Sequence, residues 1–307
     1  MIVSASYKTD IPAFYQRWFL NRLRAGYCKM VNPFNSGQRR TVSLARSDVD
    51  GFVFWTKNLG PFLEVLPEVR RRGFPFVIQY SINGYPRALE SQVADAKRSV
   101  EHMRFVAREY GPRVAVWRYD PIIISSLTPL DFHRRNFAAL AKELAGATDE
   151  VVVSFMQVYR KTRRNMNRSA AENSFDWHDP GREAKQALVG DLVGVASQYN
   201  IRLTVCTQPD LLIDGAGEAR CIDARRLMDI SRQTFRAQLG GVRQGCGCFE
   251  SIDIGDYDTC PHGCMYCYAV RDRKAALRRF LAHDPDGEYL FPMPPVRIGK
   301  IKQGSLS

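Results

Sequence analysis

Short apolar runs rich in Val, Ile and Phe recur along this 307-residue chain, each separated from the next by a longer amphipathic stretch. No other feature restricts the fold as much. The runs fall at residues 2–5, 52–55, 76–80, 114–119, 151–156, 201–206 and 251–254. Each is too short for a helix and lacks the polar alternation of a half-exposed strand, so it reads as a strand buried on both faces, as in parallel sheets. Helical patterns bounded by Pro, Gly and Asn cover about 11–24, 60–72, 86–110, 130–146, 182–199 and 222–238. Repeated βα units make an α/β fold, and a complete or partial β/α TIM-like barrel is the economical solution. An apolar content of 45% supplies the large core that such a barrel needs.

Two segments break the rhythm. Residues 25–48, with Asn32-Pro33 and Ser36-Gly37, predict a loop or small hairpin, and residues 160–181 predict a polar insertion after a strand, suited to a lid or substrate loop. The expected domain covers 1–284. A tail from 285 to 307, with Pro285, Pro292, Pro294 and Pro295, is barred from helix and is expected to wrap the barrel or stay mobile. Lys and Arg total 44 against 32 Asp and Glu, a net charge of +12. That excess favours a polyanionic partner such as nucleic acid, or another anionic substrate. Part of it is clustered, at Arg70–Arg72, at Arg160, Lys161, Arg163, Arg164 and Arg168, and at Arg271, Arg273, Lys274, Arg278 and Arg279. With no leader pattern and no run of about 18 apolar residues, the chain is expected to be cytoplasmic and not membrane-bound.

The chemistry-bearing motif is CPHGCMYC, which sets Cys260, Cys264 and Cys267 at C-x3-C-x2-C spacing. Three thiolates can hold one cubane of iron and sulfide and leave one iron without a protein ligand. A zinc ribbon would carry C-x2-C pairs at both ends of a hairpin, and here only Cys264 and Cys267 have that spacing. Soft thiolates take zinc or iron–sulfur alike, so the spacing decides for a [4Fe-4S] cluster. Disulfides are disfavoured where thiols stay reduced. Of the remaining cysteines, Cys246 and Cys248 flank a glycine, Cys206 ends a predicted strand, and Cys221 precedes a helix. These four would bind a second, auxiliary iron–sulfur cluster or fill the core as small apolar groups. Cys28 stands alone and reads as structural.

The cysteine spacing, with Tyr266 before the last cysteine and Tyr268 after it, resembles the signature of the radical S-adenosylmethionine (radical SAM) superfamily. In that superfamily the cysteine loop follows the first barrel strand. Here it follows the last predicted strand, and residues 268–283 make the next helix, with Val270, Leu277 and Leu281 on its inward face. The resemblance therefore implies a circular permutation of the barrel. WTKN (55–58) and VWRYDPI (116–122) are similar to the spore photoproduct lyase-like branch. With SASYKTD, CID and the CGC ending, they resemble an uncharacterised bacterial domain-of-unknown-function family related to that lyase.

The resemblance implies the following roles. Lys57 would bind the carboxylate or ribose of S-adenosyl-L-methionine, and Arg118 and Asp120 would assist it or form a structural pair. Ser4 and Ser6, at the position of a Gly-Gly-Glu segment that binds the cofactor's amino group and does not occur here, would contact the cofactor, as would Tyr268. Tyr266 would pack near adenine, and His262 would tune the cluster or face solvent. Cys206 or Tyr159 would serve as a radical relay. A reductant such as flavodoxin or ferredoxin is implied. The rival classes are a nucleic-acid-binding protein with a structural metal site and an iron–sulfur electron-transfer protein.

Overall fold

The computed structural model describes residues 1–32, 35–241 and 245–291. In chain order the elements are β1 (Ile2–Ala5), α1 (Ile11–Phe14), α2 (Gln16–Ala25), β2 (Tyr27–Asn32), β3 (Asn35–Ser43), β4 (Gly51–Thr56), α3 (Leu66–Arg71) and β5 (Phe76–Ser81). Then come α4 (Ala96–Tyr110), β6 (Ala115–Ile122), β7 (Ile124–Ser125), α5 (Leu130–Leu144), β8 (Glu150–Phe155), α6 (Arg160–Asn173) and β9 (Trp177–His178). The chain continues through α7 (Arg182–Gln198), β10 (Arg202–Val205), β11 (Gly217–Glu218), α8 (Ala224–Ser231), β12 (Ser251–Asp253) and α9 (Arg273–Leu281).

All seven expected strands form and join one eight-stranded parallel sheet in the order β11-β10-β8-β6-β5-β4-β1-β12. Among the described residues no strand pairing joins β11 to β12. The chain itself crosses from one to the other, since the Phe249 N–H donates to the Ile222 carbonyl at 3.0 Å two residues before β12 begins. The two-residue period of a strand then sorts side chains to opposite faces. Phe52, Phe54, Ile78, Trp117 and Val153 face the helical layer, in one large core with Phe19, Phe137 and Leu192. On the other face Ile2, Val53, Val77, Val116 and Val152 form a second, smaller aliphatic layer, covered by Leu227 of α8.

Several helix boundaries differ from expectation. The stretch 11–24 breaks at Tyr15 into α1 and α2. Residues 60–72 give a 3₁₀ turn, Gly60–Phe62, followed by α3. The pattern at 86–110 yields a helix only from Ala96, capped by the Asp95 carboxylate on the Lys97 N–H. Residues 222–238 stop being helical at Ser231, where Arg232 takes a left-handed conformation, φ +55°. The segment 160–181 is mostly the helix α6, and Trp177–His178 pairs with β7. In α9 the inward residues are Ala276 and Phe280, which meets Phe14 and Tyr15, while Leu277 and Leu281 stand 40% and 74% exposed. The expected inward face at Leu277 and Leu281 is thus corrected by a change of helical register.

The hairpin forecast at 25–48 exists as the antiparallel pair β2–β3. Residues 284–291 lie along it and along α2, with the Lys29 N–H bonded to the Glu288 carbonyl at 2.9 Å and Trp18 Nε1 to the Gly287 carbonyl at 3.0 Å. The prolines at 292, 294 and 295 fall outside the described residues. Among the described residues no helix is long and apolar enough to cross a membrane.

One buried histidine makes the fold pH-sensitive. His133 is fully buried; its Nε2–H donates to the Ile123 carbonyl at 2.9 Å and its Nδ1 accepts from the Tyr119 hydroxyl at 2.9 Å. Burial pulls its pKa down from 6.5 to about 4. The unfolded chain therefore binds the extra proton first, and stability is lost as pH falls from 6.5 towards 4, by up to about 3 kcal/mol from this residue. In urea unfolding across that window, His133→Gln is expected to flatten the pH dependence, and an unchanged slope would count against this assignment.

Candidate functional site

The same period of two that fills the inner face with Val and Ile lower down places Ser4, Trp55, Gln79, Arg118 and Ser154 one pleat further along, towards the C-terminal strand ends. Gln79, Arg118 and Ser154 line a cavity of about 420 Å³ at those ends, within the range of small-molecule sites. Active-site residues gather at the same end of β/α barrels. Seven of the eight cysteines line this one cavity: Cys260, Cys264 and Cys267, and also Cys206, Cys221, Cys246 and Cys248. The eighth, Cys28, is fully buried in the core between sheet and helices, where burial pushes its thiol up to about 12.

The cysteine loop is docked by backbone bonds to the segment that precedes α4. The Met265 N–H reaches the Leu89 carbonyl at 3.0 Å and the Gln92 N–H reaches the His262 carbonyl at 3.0 Å. Gly263 sits at φ +69°, and a Cβ there would come within 2.3 Å of Ser91 Oγ, so the loop needs glycine at this point. Inside the loop, His262 is buried against the Phe14 ring, and its Nε2–H donates to Asp10 Oδ2 at 2.7 Å. Its other nitrogen, Nδ1, is buried without a hydrogen-bond partner. Asp10 also accepts from the Lys57 and Ala13 backbone N–H groups, at 2.7 and 2.9 Å, and thereby ties the loop to β4 and α1. Burial pushes all three loop thiols up; the Lys57 ammonium opposes this at Cys264.

Lys57 does stand at a strand end, and it is paired. Its Nζ lies 2.9 Å from Glu90 Oε1 and 5.6 Å from the centre of the Tyr266 ring, with the Lys57 and Glu90 side chains only 14% and 4% exposed. The Tyr266 hydroxyl donates to the same carboxylate oxygen, as does Asn83 Nδ2 at 3.2 Å. Glu90 was invisible in the sequence because it lay inside an expected helix. Ser4 and Ser6 donate to the two oxygens of Asp253, each at 2.7 Å, and the Tyr7 and Gly255 N–H groups complete the carboxylate's shell. Both serine donors are thereby engaged in joining β1 to β12. Tyr268 donates to the Tyr7 carbonyl at 2.5 Å, and the exposed Tyr159 bonds Gln157.

At the other edge of the cavity Arg118 is 5% exposed and uses both ends of its guanidinium. Nη2 pairs with Asp120 at 2.6 Å, while Nη1 reaches Cys221 Sγ at 2.8 Å and Gln79 Oε1 at 3.1 Å. The structural pair of Arg118 with Asp120 is therefore present, and Arg118 also touches a thiol. Cys221 Sγ lies 3.6 Å from Cys206 Sγ. The three Lys and Arg side chains that line the cavity, Lys8, Lys57 and Arg118, each face a carboxylate.

Residues 2–269 match a family model described as a domain of unknown function, DUF1848, and the chain belongs to that family. No curated protein and no solved structure gives a significant match. The matched span contains every cavity cysteine together with Asp10, Lys57, Glu90 and Asp253.

The Lys57–Glu90 pair allows a test that needs no cofactor. Glu90→Ala leaves a buried ammonium without its counter-charge and is expected to lower unfolding free energy by about 3–5 kcal/mol, whereas Lys57→Met with Glu90→Leu is expected to lose much less. Additive losses in denaturant titrations would show that the two side chains do not act as a pair.

Proposed function

We propose that this DUF1848 protein is a radical SAM enzyme on a circularly permuted β/α barrel, with Cys260, Cys264 and Cys267 holding a [4Fe-4S] cluster. The observation that carries the reading is the meeting of these three thiols with Lys57 and the unpartnered His262 Nδ1 at one cavity. The strand order supports the permutation. Counted from β12, the sheet runs β12, β1, β4, β5, β6, β8, β10, β11, which is sequence order once the last strand is placed first. The strand that leads into the cysteine loop thereby takes the place of a first strand.

The donor set suits the group, because soft thiolates favour iron–sulfur clusters, and three of them leave one iron for another ligand. When bound, the cluster and S-adenosylmethionine supply a 5′-deoxyadenosyl radical that takes a hydrogen atom from the substrate. The chain's own residues bind, orient and exclude water. His262 is fixed through Nε2 by Asp10, and in the imidazolium form its Nδ1–H would be free to donate to a cluster sulfur. Lys57 carries three N–H donors, and Glu90 aligns the ammonium so that the others can bind the cofactor's carboxylate. Tyr266, held by Glu90, fixes the loop's aromatic beside that ammonium. Trp55, Phe155, Met156 and Tyr257 give the cavity walls that shield the reacting C–H from water.

The paired cations leave the cavity interior near neutrality, so the anionic partner suggested by the net charge belongs on the outer surface. Arg164 of α6 bonds the Arg271 carbonyl at 2.6 Å, which sets the basic α6 beside the basic segment that follows the cysteine loop. An acidic reductant such as flavodoxin or ferredoxin suits that face, and nucleic acid is the rival occupant.

Anaerobic reconstitution with iron and sulfide, then dithionite and S-adenosylmethionine, tests the reading. Formation of 5′-deoxyadenosine that disappears in Cys264→Ala is expected. Iron bound without any deoxyadenosine would favour an electron carrier, and zinc in place of iron would favour the structural-metal alternative.

A further inference from the structure

We propose that Cys206, Cys221, Cys246 and Cys248 hold a second iron–sulfur cluster, set in the wall of the same cavity at its β10–β11 edge. The site does not depend on S-adenosylmethionine chemistry and stands on its own geometry. Three separate stretches of chain deliver the four thiols. Cys206 directly follows β10, its N–H bonded to the Val153 carbonyl at 2.9 Å. Cys221 follows β11, its carbonyl held by Gln79 Nε2 at 2.9 Å. Cys246 and Cys248 come from the glycine-rich stretch before β12.

The sulfurs form a connected chain. Cys206 and Cys221 are 3.6 Å apart, and Cys248 interacts with Cys221 and with Cys246. Two N–H donors reach these sulfurs. The Ile222 backbone N–H points at Cys248 Sγ at 3.4 Å, and the buried Arg118 guanidinium meets Cys221 Sγ at 2.8 Å. N–H groups directed at cluster sulfurs are a recognised means of tuning such centres. Cys28 gives the contrast, buried in the main apolar core and not at the cavity. Gly241 approaches Cys246 closely. A Cβ at Gly241 would fall 2.3 Å from the Cys246 carbonyl oxygen and 2.8 Å from Cys246 Cβ.

A single zinc ion would bind the same thiolates. A tetrahedral zinc with Zn–S bonds of about 2.3 Å sets its sulfurs roughly 3.8 Å apart. The Cys206–Cys221 separation of 3.6 Å is close to that value, so zinc is the rival occupant and metal analysis decides between the two. Four protein thiolates leave no iron open, in contrast with the three-thiol loop.

Anaerobic reconstitution followed by iron, sulfide and zinc analysis tests the assignment with two variants. Wild type is expected to hold about eight irons, and the Cys221→Ala, Cys248→Ala variant and the Cys260→Ala, Cys264→Ala, Cys267→Ala variant about four each. The second variant keeps all four proposed ligands, so its brown colour and residual iron report on this site even if the first variant fails to fold. About four irons in both wild type and second variant would count against the three-thiol loop alone, whereas a colourless second variant or full iron in the first variant would each overturn the proposal. So would a zinc ion lost only in the first variant, or a Cys206–Cys221 disulfide in anaerobically purified protein. Loss of deoxyadenosine formation alone would count against the radical SAM reading and leave this site standing.

Discussion

Eight parallel strands, each with one row of side chains turned inward, set the geometry on which everything else in this chain depends. Because the side-chain period is two, a strand that gives valine to the inner floor must give its next inward residue one pleat nearer the C-terminal end. Val77 is followed by Gln79, Val116 by Arg118 and Val152 by Ser154. The floor is apolar and packs against α8, and the rim is polar and opens to the cavity. A one-residue slip in any strand would exchange these roles.

Three buried carboxylates convert that rim into a site. Asp253 gathers two hydroxyls and two backbone N–H groups where β1 meets β12, Asp10 links β4 to His262, and Glu90 links Lys57 to Tyr266. Buried charge is tolerated where it is paired or fully hydrogen-bonded, and these networks meet that condition. Asp10 and Glu90 each contact a residue of the cysteine loop, and Asp253 is on the strand that leads into it, so the first strands and the last act together although they lie far apart in sequence. The strand order makes the same point, since the edge strand β12 lies beside β1.

Much of this was legible in the sequence, for identifiable reasons. Strands buried on both faces are nearly continuous apolar runs, so all seven expected ones appear. Helices were less legible: the periodicity at 86–95 belongs to a loop that receives the cysteine segment, and α6 was hidden by a polar composition that reads as a loop. The inward face of α9 differs because Phe280, set edge-to-face against Phe14 and Tyr15, turns Leu277 and Leu281 outward. The cysteines were legible as residues, but the convergence of 206, 221, 246 and 248 is a tertiary fact. Glu90, Asp10 and Asp253 carried no local signal, because a single acidic residue looks the same whether it is a solvated surface group or the centre of a buried network. That the hydroxyls of Ser4 and Ser6 donate to Asp253 is likewise a tertiary fact with no local signal.

The central claim is that the Cys260, Cys264 and Cys267 loop presents a cluster with one iron available to S-adenosylmethionine. Electron paramagnetic resonance of the dithionite-reduced protein, recorded before and after adding the cofactor, tests it most directly. The account predicts a reduced-cluster signal, one component of which changes on addition of S-adenosylmethionine and is missing from Cys264→Ala. A spectrum that the cofactor leaves unaltered in every component would contradict it.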